Sequence, residues 1–177
     1  MRGEGTAWQY PFCVRTIPIS RLKTRQNNTM NTVTIAAEPF EGELPSTEQA
    51  IVNAGFARHT TGEGAPPFER KRLVWRAHGE DGSLVGVATA DLLWDWIYLD
   101  ELWVDESCRG TGLGKELLER VERYAERQKL SGVWLWTQSW QAEAFYQRCG
   151  YAEFTRFEDF PKGHARIGFR KDLRSSL

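Results

Sequence analysis

Between Leu102 and Lys115 the chain reads Leu-Trp-Val-Asp-Glu-Ser-Cys-Arg-Gly-Thr-Gly-Leu-Gly-Lys, an apolar strand that runs through a glycine-rich turn straight into a helix. This juncture constrains the fold more than any other segment. Each glycine within a helix costs about 1 kcal/mol, so Gly110, Gly112 and Gly114 point to a turn whose backbone must be free or must stand close to something bound. At such a turn the unpaired N–H groups and the helix dipole favour an anion, and Arg109 adds a positive charge beside them. Spacing excludes two familiar phosphate-binding motifs. A dinucleotide fingerprint starting at Gly110 requires glycine at 115, where Lys115 stands; a P-loop requires Ser or Thr after Gly114-Lys115, where Glu116 stands.

The flanking periodicity predicts an α/β fold with a mixed sheet. Thr32 to Ala37 reads as a short strand, and Ser46 to Ala57 as a helix opened by a capping box around Ser46-x-x-Gln49. His59 to Phe68, with Gly62, Gly64, Pro66 and Pro67, reads as a loop. Arg72 to Ala77, Leu84 to Leu93 and Trp96 to Val104 then form an antiparallel meander, its first turn at Asp81-Gly82. From Thr111 to Leu130 the period changes to helical: Leu113, Leu117, Val121, Tyr124 and Ala125 share a face, and Glu119 pairs with Arg123 outside. Val133 to Trp136 reads as a strand buried on both faces, so strand, helix and strand make a right-handed parallel β-α-β crossover. A short helix at Gln141 to Arg148 and strands at Tyr151 to Phe157 and Ala165 to Phe169 close the pattern.

With 177 residues the chain suits one domain, and 23 Lys and Arg against 24 Asp and Glu leave no overall basic field for nucleic acid or an anionic membrane. Its longest apolar runs are about half of a membrane span. Cys13, Cys108 and Cys149 are too few and too scattered for a disulfide framework or a zinc site; no metal is expected, and such usage suits a reducing cytoplasm. Residues 1–30 carry +4 and the remainder −5. Pro11, Arg15 and Pro18 break any secretory pattern there. A basic, acid-poor leader also fits a transit peptide, but the expectation is a disordered or artefactual extension with Met30 as the natural start and a single domain over 31–174.

In these motifs the chain resembles the GNAT superfamily of acyl-CoA-dependent N-acetyltransferases, in a bacterial-type subgroup. Arg109-Gly110-Thr111-Gly112-Leu113-Gly114 matches its (Arg/Gln)-x-x-Gly-x-(Gly/Ala) pyrophosphate motif, and Glu101-Leu102-Trp103-Val104 looks like its central strand. Ala142-Glu143-Ala144-Phe145-Tyr146-Gln147-Arg148-Cys149-Gly150-Tyr151 is similar to its Ala-x-x-Phe-Tyr-x-x-x-Gly-(Phe/Tyr) segment. The resemblance covers Thr32 to Leu173. It implies two splayed parallel strands with the pantetheine arm of acetyl-CoA between them, held by the backbone of Leu102, Trp103 and Val104. The pyrophosphate would rest on Arg109 to Gly114 and Lys115. Tyr146 takes the position of the family's general acid, and Ser139 stands where the family often has an Asn that contacts the cofactor.

An attacking amine, with a pKa near 10, needs a base. Strand alternation puts Tyr98, Asp100 and Leu102 on one face and Leu99, Glu101 and Trp103 on the other; the resemblance implies that the former face carries the catalytic carboxylate, which makes Asp100 the first candidate. A bulge would transfer the role to Glu101; either carboxylate could instead bind substrate or be neutralised by an Arg. His164 reads as a substrate-site residue or as a hydrogen-bonded structural histidine, and Cys108 as a bystander. The resemblance implies direct acetyl transfer from acetyl-CoA to a primary amine, most simply that of a small molecule, in a ternary complex. A non-catalytic acyl-CoA sensor and a protein or peptide acetyltransferase are the alternatives. Glu63, Glu69, Asp91 and Asp95 would either attract a cationic amine or form a solvated face, and Trp94 and Trp140 would line a pocket or a homodimer seam.

Overall fold

The computed structural model describes residues 41–174 together with Ile35 and Pro39; most of the expected strand Thr32 to Ala37 and all of the 1–30 extension lie outside the described residues. The chain divides after Glu43 into two units, and every element named below belongs to the second.

Helix α1 spans Ser46–Gly62. It takes in residues expected to be loop, since Thr61 Oγ1 bonds back to the Ala57 carbonyl (3.0 Å) and sustains a further turn. The expected capping box is absent: Pro45 is the N-cap, its carbonyl accepts from the Gln49 N–H (2.8 Å), and the Gln49 side chain donates to Asn53 instead. Pro45 fits there because a helix start asks no N–H of the residues before it. None of the residues of α1 is buried.

Strands β1 (Arg70–His78), β2 (Leu84–Leu93) and β3 (Trp96–Val104) form the expected meander, with Gly82 at φ +79° in the first turn. Helix α2 (Leu113–Arg127) crosses to β4 (Gly132–Gln138), which lies parallel to β3. Helix α3 (Glu143–Arg148), β5 (Ala152–Glu158) and β6 (Ala165–Asp172) follow. Among the described residues the sheet is mixed and six-stranded, in the order β1-β2-β3-β4-β6-β5. Because β6 is antiparallel to β4, the expectation of a strand buried on both faces is corrected. Val133, Leu135 and Thr137 are buried, whereas Trp134 and Trp136 alternate with them on a half-exposed face.

The core lies between α2 and one face of the sheet. Leu117, Leu118, Val121 and Ala125 pack on Ala88, Ala90, Ile97, Leu99, Val133, Leu135, Ile167 and Phe169. Each large side chain so removed from water contributes roughly 1.5–3 kcal/mol. In the C-terminal half of α2, Glu122 pairs with Lys171 of β6 (2.7 Å), and the same ammonium donates to the Cys149 carbonyl beyond α3 (3.1 Å). One partly buried ion pair thereby ties three elements together. No described helix is long and apolar enough to cross a membrane.

The parallel pairing of β3 with β4 is short. It runs from Trp96 opposite Gly132 to Leu99 opposite Leu135 and then ceases, while β3 continues along β2 to Val104 and β4 continues along β6 to Gln138. Gly132 anchors the paired end: a Cβ there would collide with the Lys171 carbonyl and stand 2.7 Å from Trp96 Cζ3. Gly132→Ala is therefore expected to cost about 1–3 kcal/mol in urea unfolding. Gly62→Ala, whose added Cβ meets nothing within 4 Å, should leave stability unchanged or slightly raised.

Candidate active site

The turn after β3 is built by short-range bonds. Asp105 accepts from the Ser107 N–H (2.9 Å), which opens a single 3-10 turn over Glu106–Cys108, and Thr111 Oγ1 donates to the Cys108 carbonyl (2.7 Å). A bond from the Ser107 hydroxyl to the same carboxylate, together with that from its N–H, holds the Asp105 carboxyl below its usual range. Gly110 (φ +79°) and Gly112 (φ +95°) then bend the chain into α2 in a conformation that L side chains resist. A Cβ at either glycine would meet nothing within 4 Å, and no side chain caps Gly112. The first N–H groups of α2 therefore face an uncrowded turn, as anion binding requires. Arg109 lies back along the strand end, its Nε donating to the Val104 carbonyl (3.3 Å) and its Nη1 to Glu106 (3.3 Å). Leu113, Gly114 and Lys115 form the first turn of α2, with Lys115 paired to Glu119 (3.6 Å).

Past Leu99, the β3 edge that faced β4 loses its strand partner, leaving the backbone of Leu102 to Val104 to diverge from β4. A register shift lies in this stretch: Ala90 opposes Leu99 and Thr89 opposes Glu101, so Asp100 is an extra residue in a bulge. Plain alternation thus fails across Asp100. Tyr98 is paired with Asp91 and Glu101 with Thr89, which puts Tyr98, Glu101 and Trp103 on the open face, while Leu99 and Leu102 face α2.

The bulge also brings Asp100 to that open face, beside Arg72 of β1. The Arg72 guanidinium reaches Asp100 (2.7 Å), Asp91 (3.2 Å) and Thr89 Oγ1 (2.9 Å), and lies 3.9 Å from Glu101. Partial burial opposes its charge, but the bonds and charges of Asp100 and Asp91 prevail and its pKa is raised. Thr89 Oγ1 in turn donates to Glu101 Oε2 (2.8 Å). Arg70 adds a second pair to Asp91 (2.9 Å). On the next position of this face Tyr98 stacks on its register partner Trp134, ring centroids 4.5 Å apart, and burial together with the Asp100 charge pushes its phenol pKa up.

Tyr146 sits on α3 and is 7% exposed, enclosed by Phe145, Tyr151 and Phe169. Burial pushes its pKa up to about 12. Ring atoms of Phe145 lie 3.8 Å from where a Gly114 Cβ would stand, so the helix carrying Tyr146 packs on the first turn of α2. Ser139 ties the end of β4 to β6: its N–H donates to the Ala165 carbonyl (2.8 Å) and its Oγ accepts from the Ala165 N–H (3.1 Å). His164 lies against Trp140, ring centroids 4.7 Å apart. Cys108 has its Sγ 3.7 Å from Ser107 Oγ. Asp95 is engaged elsewhere, with Ser131 (2.5 Å) and Arg174 (2.7 Å). Among the described residues no group of His, Cys, Asp and Glu is arranged to hold a metal.

Arg72 and Thr89 belong to none of the sequence motifs. A signal existed: in the apolar run Leu84 to Leu93, Thr89 and Asp91 are polar at i and i+2, so they share one face of a central strand.

The profile of the acetyltransferase (GNAT) family matches residues 36–151. The chain belongs to that family. Over 89 residues it is 39% identical to the blasticidin-S acetyltransferase of Streptomyces morookaense, an alignment covering 49% of this chain and 65% of that protein. The chain spans less than two thirds of the length of the curated relatives it matches. Among solved structures, an acetyltransferase from Bacillus cereus shares 28% identity at a TM-score of 0.66, with 76% of this chain and 98% of that one covered. The fold also matches a candidate streptothricin acetyltransferase from Bacillus anthracis, solved in complex with acetyl coenzyme A, at 20% identity and a TM-score of 0.53 over 58% of this chain and 63% of that one.

The Tyr146 phenol gives a pH prediction. Its folded pKa of about 12 lies above the ordinary value of 10.0, so the stability it confers is full below pH 10.0 and is lost as pH rises toward about 12. In urea unfolding from neutral to strongly alkaline pH, Tyr146→Phe should lose less stability than the wild type; equal slopes would mean that the phenol is not shielded.

Proposed function

We propose that the chain is an N-acetyltransferase that moves an acetyl group from acetyl-CoA to a primary amine of a small molecule, with blasticidin S the first acceptor to assay. The observation that carries this reading is the divergence of β3 from β4 beyond Leu99, on the strand that ends in the uncapped glycine turn. An extended amide chain suits the unpaired edge of Leu102, Trp103 and Val104, and an anionic group suits the N–H groups from Gly110 to Lys115 beside Arg109. The open turn at Gly110 and Gly112 fits such a group without displacing a side chain. The 39% identity to a blasticidin-S acetyltransferase supports the choice of acceptor.

Bound acetyl-CoA supplies an acetyl group activated as a thioester. This chain's residues manage protons and orientation. Glu101, whose side chain is 59% exposed on the open face, takes the proton from the acceptor ammonium, since only the neutral amine has a lone pair to attack with. Tyr146, kept neutral by burial, holds a proton for a departing thiolate. Asp100 is less suited to be the base, because its carboxylate is committed to Arg72 at 2.7 Å. Ser139, with its Oγ already accepting from Ala165, retains a hydroxyl proton to donate to the cofactor. The free thiols Cys108 and Cys149 suit a cytoplasmic setting.

Acetyl-CoA at about 100 times its dissociation constant should stabilise the fold by roughly 2.7 kcal/mol, raising the melting temperature where NADH and ATP do not. Mass spectrometry should detect one added acetyl group on blasticidin S. Tyr146→Phe and Glu101→Gln should each lower kcat on the order of a hundredfold with acetyl-CoA affinity retained. Absence of a thermal shift would remove the cofactor reading, and unchanged kcat in either variant would remove that residue from its role.

A further inference from the structure

The open face of the meander holds more organised polar chemistry than a single base needs. Three carboxylates, one hydroxyl and two guanidinium groups lie within it, contributed by β1, β2 and β3. Asp91 is 5% exposed although charged, and its Oδ2 accepts from both Arg70 and Arg72. Such burial is stable only where the partners are held in good geometry. The three carboxylates are also unequal: Asp91 and Asp100 contact Arg72 directly, whereas Glu101 lies 3.9 Å from it, beyond hydrogen-bond reach. Thr89 fills that gap.

The direction of the bonds follows from donor chemistry alone. A guanidinium can only donate, so at 2.9 Å from Arg72 Nη2 the Thr89 oxygen accepts. A carboxylate can only accept, so the single hydroxyl proton of Thr89 goes to Glu101 Oε2 at 2.8 Å. The order is therefore cation, hydroxyl, carboxylate. A glutamate on an exposed strand position otherwise samples many rotamers. Here one of its oxygens is pinned and the other, Oε1, is left for a ligand. The bulge makes the arrangement possible, because in a regular strand Asp100 and Glu101 point to opposite faces and cannot both approach one guanidinium.

We propose that Arg72 and Thr89 form a positioning relay that holds Glu101 in the orientation needed to take a proton from the acceptor amine, with Asp91 and Asp100 serving to anchor Arg72. This rests on the reading of Glu101 as the base. Thr89 and Arg72 touch neither reactant in this scheme; they act through Glu101. A displacement of about 1 Å at a reacting group costs up to a hundredfold in rate, so the loss of one pinning bond should be visible in turnover.

The test is Thr89→Val, which keeps the branched shape and removes the hydroxyl. It should lower kcat about tenfold or more with the KM for acetyl-CoA unchanged, and Thr89→Ser should restore the rate. In a Glu101→Gln background Thr89→Val should cause no further loss, because both changes act on one carboxylate. Crystal structures should show the Glu101 carboxylate in Thr89→Val displaced from its wild-type position by about 1 Å. Arg72→Lys, which retains a charge for Asp100 but lacks the second nitrogen of the fork, should reproduce the Thr89→Val phenotype. Normal kcat in Thr89→Val, an undiminished loss in the Glu101→Gln background, or an unmoved Glu101 carboxylate would each overturn the relay. The two readings fail separately: full turnover in Glu101→Gln alone removes the base, whereas impaired Glu101→Gln beside normal Thr89→Val removes only the relay.

Discussion

The structure depends on a strand pair that is allowed to form only halfway. Four residue pairs, from Trp96 and Gly132 to Leu99 and Leu135, join β3 to β4, and beyond them each strand keeps only its outer neighbour. Backbone N–H and C=O groups call for partners, and where these two central strands separate, the facing edge of β3 at Leu102 to Val104 has no strand to supply them. The paired half is secured by the close approach at Gly132 and by Ile97, Leu99, Val133 and Leu135, all packed beneath α2. The separated half keeps its shape because β2 and β6 brace it from outside. Rigidity and opening are thus supplied by different neighbours of the same two strands.

The bulge at Asp100 falls at the point where that pairing ends. It changes which side chains face which way from Glu101 onward. Without it, Glu101 would face α2 and Leu102 would face outward, exchanging a carboxylate for an apolar residue at the core. With it, Leu99 and Leu102 both serve the core while Tyr98, Asp100 and Glu101 gather around Arg72. The two ends of the region differ in what they offer: the glycine turn after β3 presents N–H groups beside Arg109, and the middle of the strand holds carboxylates gathered on Arg72.

Much of this was legible in residues with strong local signatures. The bounds of β2 and β3 follow from their apolar runs and turns, the apolar stripe of α2 from its period, and the turn at Arg109 to Gly114 from glycines that a helix would otherwise penalise. The misreadings have local causes too. Helix α1 continued past Ala57 because Thr61 bonds to its own helix, a competition that Gly62 and the prolines beyond it concealed. Val133 to Trp136 suggested burial on both faces because indoles count as apolar, yet Trp134 and Trp136 flank an open sheet face.

The sequence by itself determined the α/β class and the strand-turn-helix that can hold an anion, since these follow from period and φ requirements within a short span of chain; Asp100, Glu101, Ser139 and Tyr146 became candidates only through the family resemblance. Only the tertiary structure brought Glu101 onto the open face beside Asp100. That placement depends on a one-residue register shift against β2, and register is a property of two strands, which the alternation of one cannot express. The same holds for Arg72, Thr89 and Asp91: separated along the chain, they meet only because β1, β2 and β3 lie side by side.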